Sequence, residues 1–125
     1  MKIINTTQAP APIGPYSQAV QCGNILFVSG QIALDPSSGQ LITSSISAQT
    51  IRIMQNIEAI LLAAGLNFSN IVKTTIFLTS MSDFDEVNKV YGSYFKDNFP
   101  ARETVAVAGL PKGVNVEISV TAEVS

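Results

Sequence analysis

The chain has 125 residues, a length that predicts one domain, residues 1–125. Apolar residues make up 46% of the chain and charged residues only 13%, against a usual charged share of roughly 25%. Because so few charged residues are available to cover the surface, we expect a sizeable subunit interface. The net charge is −2 and the seven Lys and Arg residues are scattered, which argues against a nucleic-acid-binding surface. The absence of histidine and the single cysteine exclude a Ser-His-Asp triad, a Cys-His pair, His-ligated metals, an intrachain disulfide and a CxxC site.

The N-terminal third predicts three short strands and a proline-rich loop. Lys2–Asn5 is a strand candidate, and the three prolines of the following loop cannot pair in a central strand. Strands at Ser17–Gln21 and Ile25–Ser29 flank a Cys-Gly-Asn turn, which is typical of a hairpin. We expect Cys22 to be a half-buried small hydrophobe beside that turn. The first residues lack a signal-peptide pattern and no apolar run reaches about 20 residues, so we expect a reducing, cytoplasmic location.

Two residues of this region have a structural and a functional interpretation. Tyr16 follows Gly14-Pro15 and can be a packed aromatic with its hydroxyl at the surface, or part of a pocket wall. Gly30 ends the third predicted strand, where a glycine marks either a bulge or bend, or a place where a ligand approaches the backbone closely.

The middle of the chain predicts two helices around one strand. Apolar residues at three- and four-residue steps predict a helix over Ser47–Ala64, which Gly65 stops. Branched residues predict a strand over Ile71–Thr79. A second helix is expected over Asp83–Phe95 with Ser82 as its N-cap. Three acidic residues in its first turn match the helix dipole, which explains them without a metal.

The C-terminal quarter predicts a strand–turn–strand unit. Two alternating runs, Arg102–Ala108 and Val114–Val124, are joined by Gly-Leu-Pro-Lys-Gly. Alternation puts Arg102 on a face of small residues and Glu117 among neutral polar side chains. The small residues on that face leave room beside the Arg102 guanidinium, whose five N–H donors are suited to binding a carboxylate. The pattern alone favours solvated surface charges, or an ion pair of little energetic value.

The element order β-β-β-α-β-α-β-β predicts an α+β fold. Two amphipathic helices can cover one face of a largely antiparallel sheet. The opposite face still carries apolar residues, so we expect it to pack against a partner in an oligomer.

Several stretches spread over nearly the whole chain stand out together: Ile13–Ala19, Val28–Ile32, Val72–Phe77, Asp83-Phe84 with Val87-Asn88 and Tyr91, Pro100–Arg102 and Val116–Ile118. In this order they resemble the Rid (YjgF-type) family of reactive enamine/imine deaminases. Glu103 departs from the family pattern, which usually has a small residue there, and Thr104 stands where many members have Cys. Because neighbours on a strand face opposite ways, Glu103 is expected to project away from Arg102.

The resemblance implies a chorismate-mutase-like fold, assembled as a homotrimer with clefts between subunits. It implies hydrolysis of 2-iminopropanoate and 2-iminobutanoate to 2-oxo acids and ammonia, without metal, cofactor, nucleic acid or membrane. We hypothesise that Arg102 holds the substrate carboxylate and that Glu117 orients or deprotonates the attacking water. Further substrate-binding roles follow for Tyr16, which closes the pocket, for the backbone of Gly30 and Thr104, and for Asn88, which reaches a neighbouring subunit's pocket.

Two other functions stay open at this point. Some family members are described as endoribonucleases or translation inhibitors, although this chain offers neither the histidine nor the basic groove that RNA cleavage usually uses. A non-catalytic binder of small carboxylates, or a chaperone-like trimer, would keep Arg102 as an anchor but would need no activated water.

Overall fold

The computed structural model describes residues 1–125 as six strands and two α-helices in the predicted order. The strands are β1 (Lys2–Ile4), β2 (Ala19–Cys22), β3 (Ile25–Gln31), β4 (Ile71–Leu78), β5 (Ala101–Ala106) and β6 (Val116–Glu123), and the helices are α1 (Ile46–Ala63) and α2 (Phe84–Gly92). The strands form one sheet in the order β1-β2-β3-β6-β4-β5. Every pair is antiparallel except β4 and β5, which are parallel. The α+β class is therefore confirmed.

The two C-terminal runs both form strands, but they are not neighbours in the sheet. Strand β6 lies between β3 and β4, while β5 pairs with the other side of β4. The expected strand–turn–strand unit is therefore wrong as a local pair. A glycine- and proline-containing turn between two alternating runs signals that the chain reverses, but it does not specify which strands then pair.

The N-terminal hairpin forms as predicted, with three corrections. Strand β2 begins at Ala19 rather than Ser17, and β3 continues to Gln31. Gly30 thus lies inside β3, where the pairing with β6 is irregular between Val28 and Gln31. Cys22 is exposed rather than half-buried, because it ends β2 at the turn.

The first helix lies within one residue of its prediction, and the second is shorter. In α1 the side chain of Ser45 accepts from the backbone N–H of Ala48, and Gly65 adopts a positive φ of 76° after the helix. The predicted N-cap of the second helix is wrong. A 3₁₀ turn over Met81–Asp83 precedes α2, and Ser80 accepts from Ser82 instead.

One acidic residue of α2 has a specific partner on α1. A single carboxylate oxygen of Glu86 accepts from both the backbone N–H and the hydroxyl of Ser47, each at 2.8 Å. Ser47 is the second residue of α1, where backbone N–H groups lack partners within the helix and a negative charge is favoured. Glu86 therefore contributes to capping α1 and to docking the two helices.

Both helices pack on one face of the sheet and form a core of 21 buried apolar residues with it. In β4 and β6 that face carries the fully or nearly buried Thr74, Ile76, Leu78, Val116, Ile118 and Val120. The opposite face keeps large apolar side chains exposed: Ile3 by 51%, Phe27 by 49% and Val105 by 40%. The prediction of an uncovered apolar face is confirmed. None of the helices combines the length and the apolar character needed to cross a bilayer.

Candidate active site

Arg102 is the second residue of β5 and points toward the helices. In the parallel register it lies opposite Thr74, whose side chain is fully buried on the helix side. Its Nη1 donates to Oδ1 of Asn88 at 2.6 Å. The guanidinium carbon lies 5.3 Å from the ring centroid of Tyr91 and 5.7 Å from that of Phe84. These three residues recur at i, i+4 and i+7 of α2, so one helix face holds the guanidinium.

The guanidinium keeps most of its hydrogen-bonding capacity free. Arginine has five N–H donors, and within the chain the Arg102 guanidinium donates one hydrogen bond, to Asn88. The ion pair in the chain lies elsewhere, between Lys73 and Glu103. A shallow cleft opens beside the guanidinium, lined by Asn88, Tyr91, Gly92, Phe99, Pro100 and Arg102. A half-buried cation over two aromatic faces with unused donors is suited to a planar anion.

The two residues after Arg102 divide between the faces of the sheet as predicted. Glu103 lies on the opposite face, where it pairs with Lys73 at 3.1 Å and accepts from the Thr75 hydroxyl at 2.6 Å. The Thr75 hydrogen bond, with help from Lys73, holds the pKa of Glu103 below its usual value. Thr104 shares the face of Arg102, and its buried Oγ1 has no hydrogen-bond partner.

Glu117 lies in a separate cavity of about 340 Å³. Its neighbours Val116 and Ile118 are fully buried in the core, so alternation directs Glu117 to the other face of β6. The cavity is lined by Pro10, Ala11, Ile13, Tyr16, Gln18, Ser29, Gly30, Gln31, Ile32, Leu34, Pro111 and Glu117. Burial removes water from the carboxylate and raises the pKa of Glu117, as expected for a carboxyl group without a nearby cation.

Gly30 leaves the space that the Glu117 carboxylate occupies. A Cβ placed on Gly30 would lie 2.4 Å from Oε2 and 2.8 Å from the carboxyl carbon of Glu117. Gly30 does not have a positive φ, so the position calls for glycine because of space and not because of backbone angle. The bulge interpretation of Gly30 is confirmed, and the group that approaches it here is a side chain of the same protein.

Tyr16 combines features of both of its interpretations. The residue is 47% exposed and its hydroxyl accepts from the backbone N–H of Ile13 at 3.3 Å. Its side chain also lines the cavity that holds Glu117. The tyrosine therefore forms part of the cavity wall with its ring partly in solvent.

The six residues singled out from the sequence form two groups on opposite faces of the sheet. In the register Arg102 lies opposite Thr74, whereas Glu117 lies opposite Phe77, and positions 74 and 77 of one strand face opposite ways. Arg102, Asn88 and Thr104 form one group, which we name the arginine half-site. Glu117, Gly30 and Tyr16 form the other, the glutamate half-site. Within one chain the two half-sites do not share a cavity.

Three contributing residues were not predicted as part of a site. Phe84 and Tyr91 belong to the stretches that resemble the family, and their i, i+4, i+7 spacing with Asn88 indicates one shared helix face. Gln18 lies in the resembling stretch Ile13–Ala19, but a single glutamine there carries no periodic signal for a site. No group of three or more Cys, Asp or Glu residues in the structure is arranged to hold a metal ion.

Comparison with known proteins places the chain in a family. A family model described as Endoribonuclease L-PSP matches residues 6–124, which is nearly the whole chain. The protein therefore belongs to the Endoribonuclease L-PSP family.

The individual relatives identify it more closely with the Rid (YjgF-type) proteins, as the resemblance implied. The mouse 2-iminobutanoate/2-iminopropanoate deaminase is 50% identical over 121 residues, covering 97% of this chain and 90% of the mouse protein. The structure of a Rid-family protein from Yersinia pestis superposes with a TM-score of 0.96 at 49% identity, over 98% of each chain. Escherichia coli TdcF, solved with bound serine, superposes with a TM-score of 0.95 at 41% identity, over 100% of each chain.

Proposed function

We propose that this protein is an enamine/imine deaminase that hydrolyses 2-imino acids such as 2-iminopropanoate and 2-iminobutanoate to 2-oxo acids and ammonia. The observation that carries the proposal is the half-buried guanidinium of Arg102, held by Asn88 and two aromatic rings with no carboxylate of its own chain beside it. The name of the similar mouse enzyme and the serine bound to the similar TdcF support a small substrate with a carboxylate.

We further propose that the working enzyme is a homotrimer of chorismate-mutase-like, single-domain subunits. The two half-sites lie on opposite faces of one sheet, so a complete site needs a second copy that brings its glutamate half-site to the arginine half-site. Such a contact joins two different surfaces, and head-to-tail contacts of this kind form a closed ring when the rotation between neighbouring copies closes. The exposed Ile3, Phe27 and Val105 on the glutamate face supply apolar area for the contact.

Substrate binding follows from the arginine half-site. The carboxylate of the imino acid accepts a bidentate pair of hydrogen bonds from Arg102, which is the strong and directional form of this interaction. Asn88, Phe84 and Tyr91 keep the guanidinium in place, so little motion remains to be frozen on binding. Backbone groups of Thr104 and Gly30 hold the reacting end.

The hydrolysis then proceeds at the C=N bond. Protonation of the imine nitrogen makes the carbon electrophilic, and a water molecule oriented by Glu117 attacks it while the carboxylate accepts a proton. A carbinolamine forms. Glu117 returns that proton to the amine, which makes the amine a leaving group. As the C–N bond breaks, ammonia departs and the carbinolamine hydroxyl gives its proton to the Glu117 carboxylate, which leaves the 2-oxo acid. Enamines enter through their imine tautomers. Catalysis in this scheme is positioning and preorganised electrostatics, and no step assigns work to a metal or cofactor.

The elevated pKa of Glu117 suits this role. A carboxylate deprived of water is a stronger base than an exposed one, and a general base is most effective when its pKa approaches the working pH. We place the reaction in the cytoplasm, consistent with a single unpaired cysteine.

The test is a coupled assay in which an amino-acid oxidase generates 2-iminopropanoate in the presence of the protein. We expect Arg102→Ala and Arg102→Lys to lose activity with the oligomer intact, because a point charge does not replace a bidentate fork. Arg52→Lys, the same change at the other arginine of the chain, should leave turnover unaffected. Normal turnover in Arg102→Ala would remove Arg102 from the mechanism.

The same experiments separate the other two functions. A non-catalytic binder would bind 2-oxobutanoate through Arg102 without accelerating imine loss. An RNA-cleaving function, suggested by the description of the family, would appear as phosphodiester cleavage that survives extensive purification and disappears in Arg102→Ala. We expect neither outcome.

A further inference from the structure

A long irregular loop forms much of the wall of the glutamate half-site. It connects the end of β1 at Ile4 to the start of β2 at Ala19, and five of its residues line the cavity: Pro10, Ala11, Ile13, Tyr16 and Gln18. Its three prolines remove backbone donors, and within it the one backbone–backbone hydrogen bond runs from Tyr16 to Gly14. A loop with so little internal bonding depends on side chains for its position.

Most of the side-chain hydrogen bonds that hold this loop come from Gln18. It is 98% buried, at 2% relative exposure. Its Oε1 accepts from the backbone N–H of Thr6 at 2.8 Å. Its Nε2 donates to the carbonyl oxygens of Thr6 at 3.0 Å, Ala9 at 3.2 Å and Pro10 at 2.8 Å. One amide therefore bonds the first half of the loop at three residues.

The other end of Gln18 is bonded to the strand that carries Gly30. Its backbone carbonyl accepts from the N–H of Ser29 at 2.9 Å, and the Ser29 hydroxyl donates to the carbonyl of Ser17 at 2.6 Å. Gln18 thus joins the cavity wall to the bulge beneath Glu117. Because the amide is paired on both its oxygen and its nitrogen, a shift of the loop breaks several buried bonds together.

We propose that Gln18 is a positioning residue for the reaction, because its buried amide holds the loop of residues 5–17 against the cavity of Glu117 and so fixes the space that the substrate side chain can occupy. This inference rests on the proposed function. Gln18 acts through the loop and the cavity wall, not on the reacting atoms.

The test compares Gln18→Met, which keeps the length and volume but removes the amide, with Gln18→Glu, which keeps an acceptor for Thr6 and loses both donors. We expect amide hydrogen exchange in residues 5–17 to accelerate in both variants while exchange in β4 and β6 stays protected. With 2-iminobutanoate we expect KM to rise about tenfold, because binding energy is then used to order the loop, while kcat changes less than about threefold.

Gln49→Met is the matched control. Gln49 is also a buried amide, at 5% relative exposure, but it lies on α1, donates to Asn115 and does not line the cavity. A purely structural loss should lower the melting temperature of Gln18→Met and Gln49→Met alike and leave KM unchanged. The second Gln18 variant covers the case in which the first does not fold.

Unchanged exchange across residues 5–17 in the Gln18 variants overturns the proposal, and so does a fall in kcat at constant KM. Amide hydrogen exchange requires no turnover, so its result does not depend on whether the proposed function is correct. A wild-type protein that does not hydrolyse imino acids refutes the function itself, while a loop that still loosens in Gln18→Met supports the restraint by Gln18.

Discussion

Replacing Gly30 with alanine tests whether this residue seats the general base. The added Cβ would lie 2.4 Å from Oε2 of Glu117, and ordinary contacts begin at 3.4 Å, so the carboxylate oxygen must move by about 1 Å. Misplacement of a catalytic group by about 1 Å costs on the order of 100-fold in rate, or about 2.7 kcal/mol of transition-state stabilisation. We therefore expect kcat of Gly30→Ala to fall about 100-fold.

The imine-hydrolysis assay measures this loss, and a second substitution identifies its cause. Aspartate is one methylene shorter than glutamate, so Gly30→Ala should lower kcat much less in the Glu117→Asp background than in the wild type. Gly109→Ala is the control, because a Cβ there meets nothing within 4 Å and its φ is not positive. The reasoning fails if Gly30→Ala keeps full activity. It also fails if the 100-fold loss persists in the Glu117→Asp background, since the added methyl group would then act on something other than the carboxylate.

Burial of Glu117 makes two further predictions. Because desolvation raises the pKa of Glu117, the acid limb of kcat/KM should lie above the ordinary glutamate pKa of about 4.3; a limb at or below that value would contradict the assignment of Glu117 as base. The folded state binds this proton more tightly than the unfolded state, so its contribution to stability falls as pH rises through the window from about 4.3 to the raised pKa. Urea unfolding should therefore find Glu117→Gln more stable than the wild type at pH 7 and the difference smaller at pH 4, with slower turnover.

The element types were predictable from the sequence because they depend on local periodicity. The helix of residues 46–63 was predicted within one residue, and β6 shows strict alternation with its apolar residues buried. The order of strands was not predictable in the same way. The position of β6 between β3 and β4 depends on contacts between residues far apart in the chain. The turn Gly-Leu-Pro-Lys-Gly before β6 instead predicts a local strand–turn–strand pair.

The sequence predicts which residues belong to the candidate site, but their positions relative to one another depend on the fold. Arg102 is a guanidinium among small residues and Glu117 a carboxylate among neutral ones, but it is the resemblance to the Rid family that implies a site role for both. Their separation onto opposite faces depends on the registers of β5 and β6 with β4. The hydrogen bond from Arg102 to Asn88 and the rings of Phe84 and Tyr91 depend on how α2 docks on the sheet, which no short window of sequence specifies.

The separation of the half-sites leads to a test of assembly that needs no structure of the oligomer. In a closed ring of three identical subunits, each site takes Arg102 from one copy and Glu117 from the next, so Arg102→Ala and Glu117→Gln damage different partners. If the two variants are refolded together in equal amounts, chance pairing leaves about a quarter of the sites with both native residues. We expect the mixture to recover about a quarter of wild-type activity. A mixture no more active than the average of its two components would show that both groups act within one chain, and the proposed cleft between subunits would be wrong.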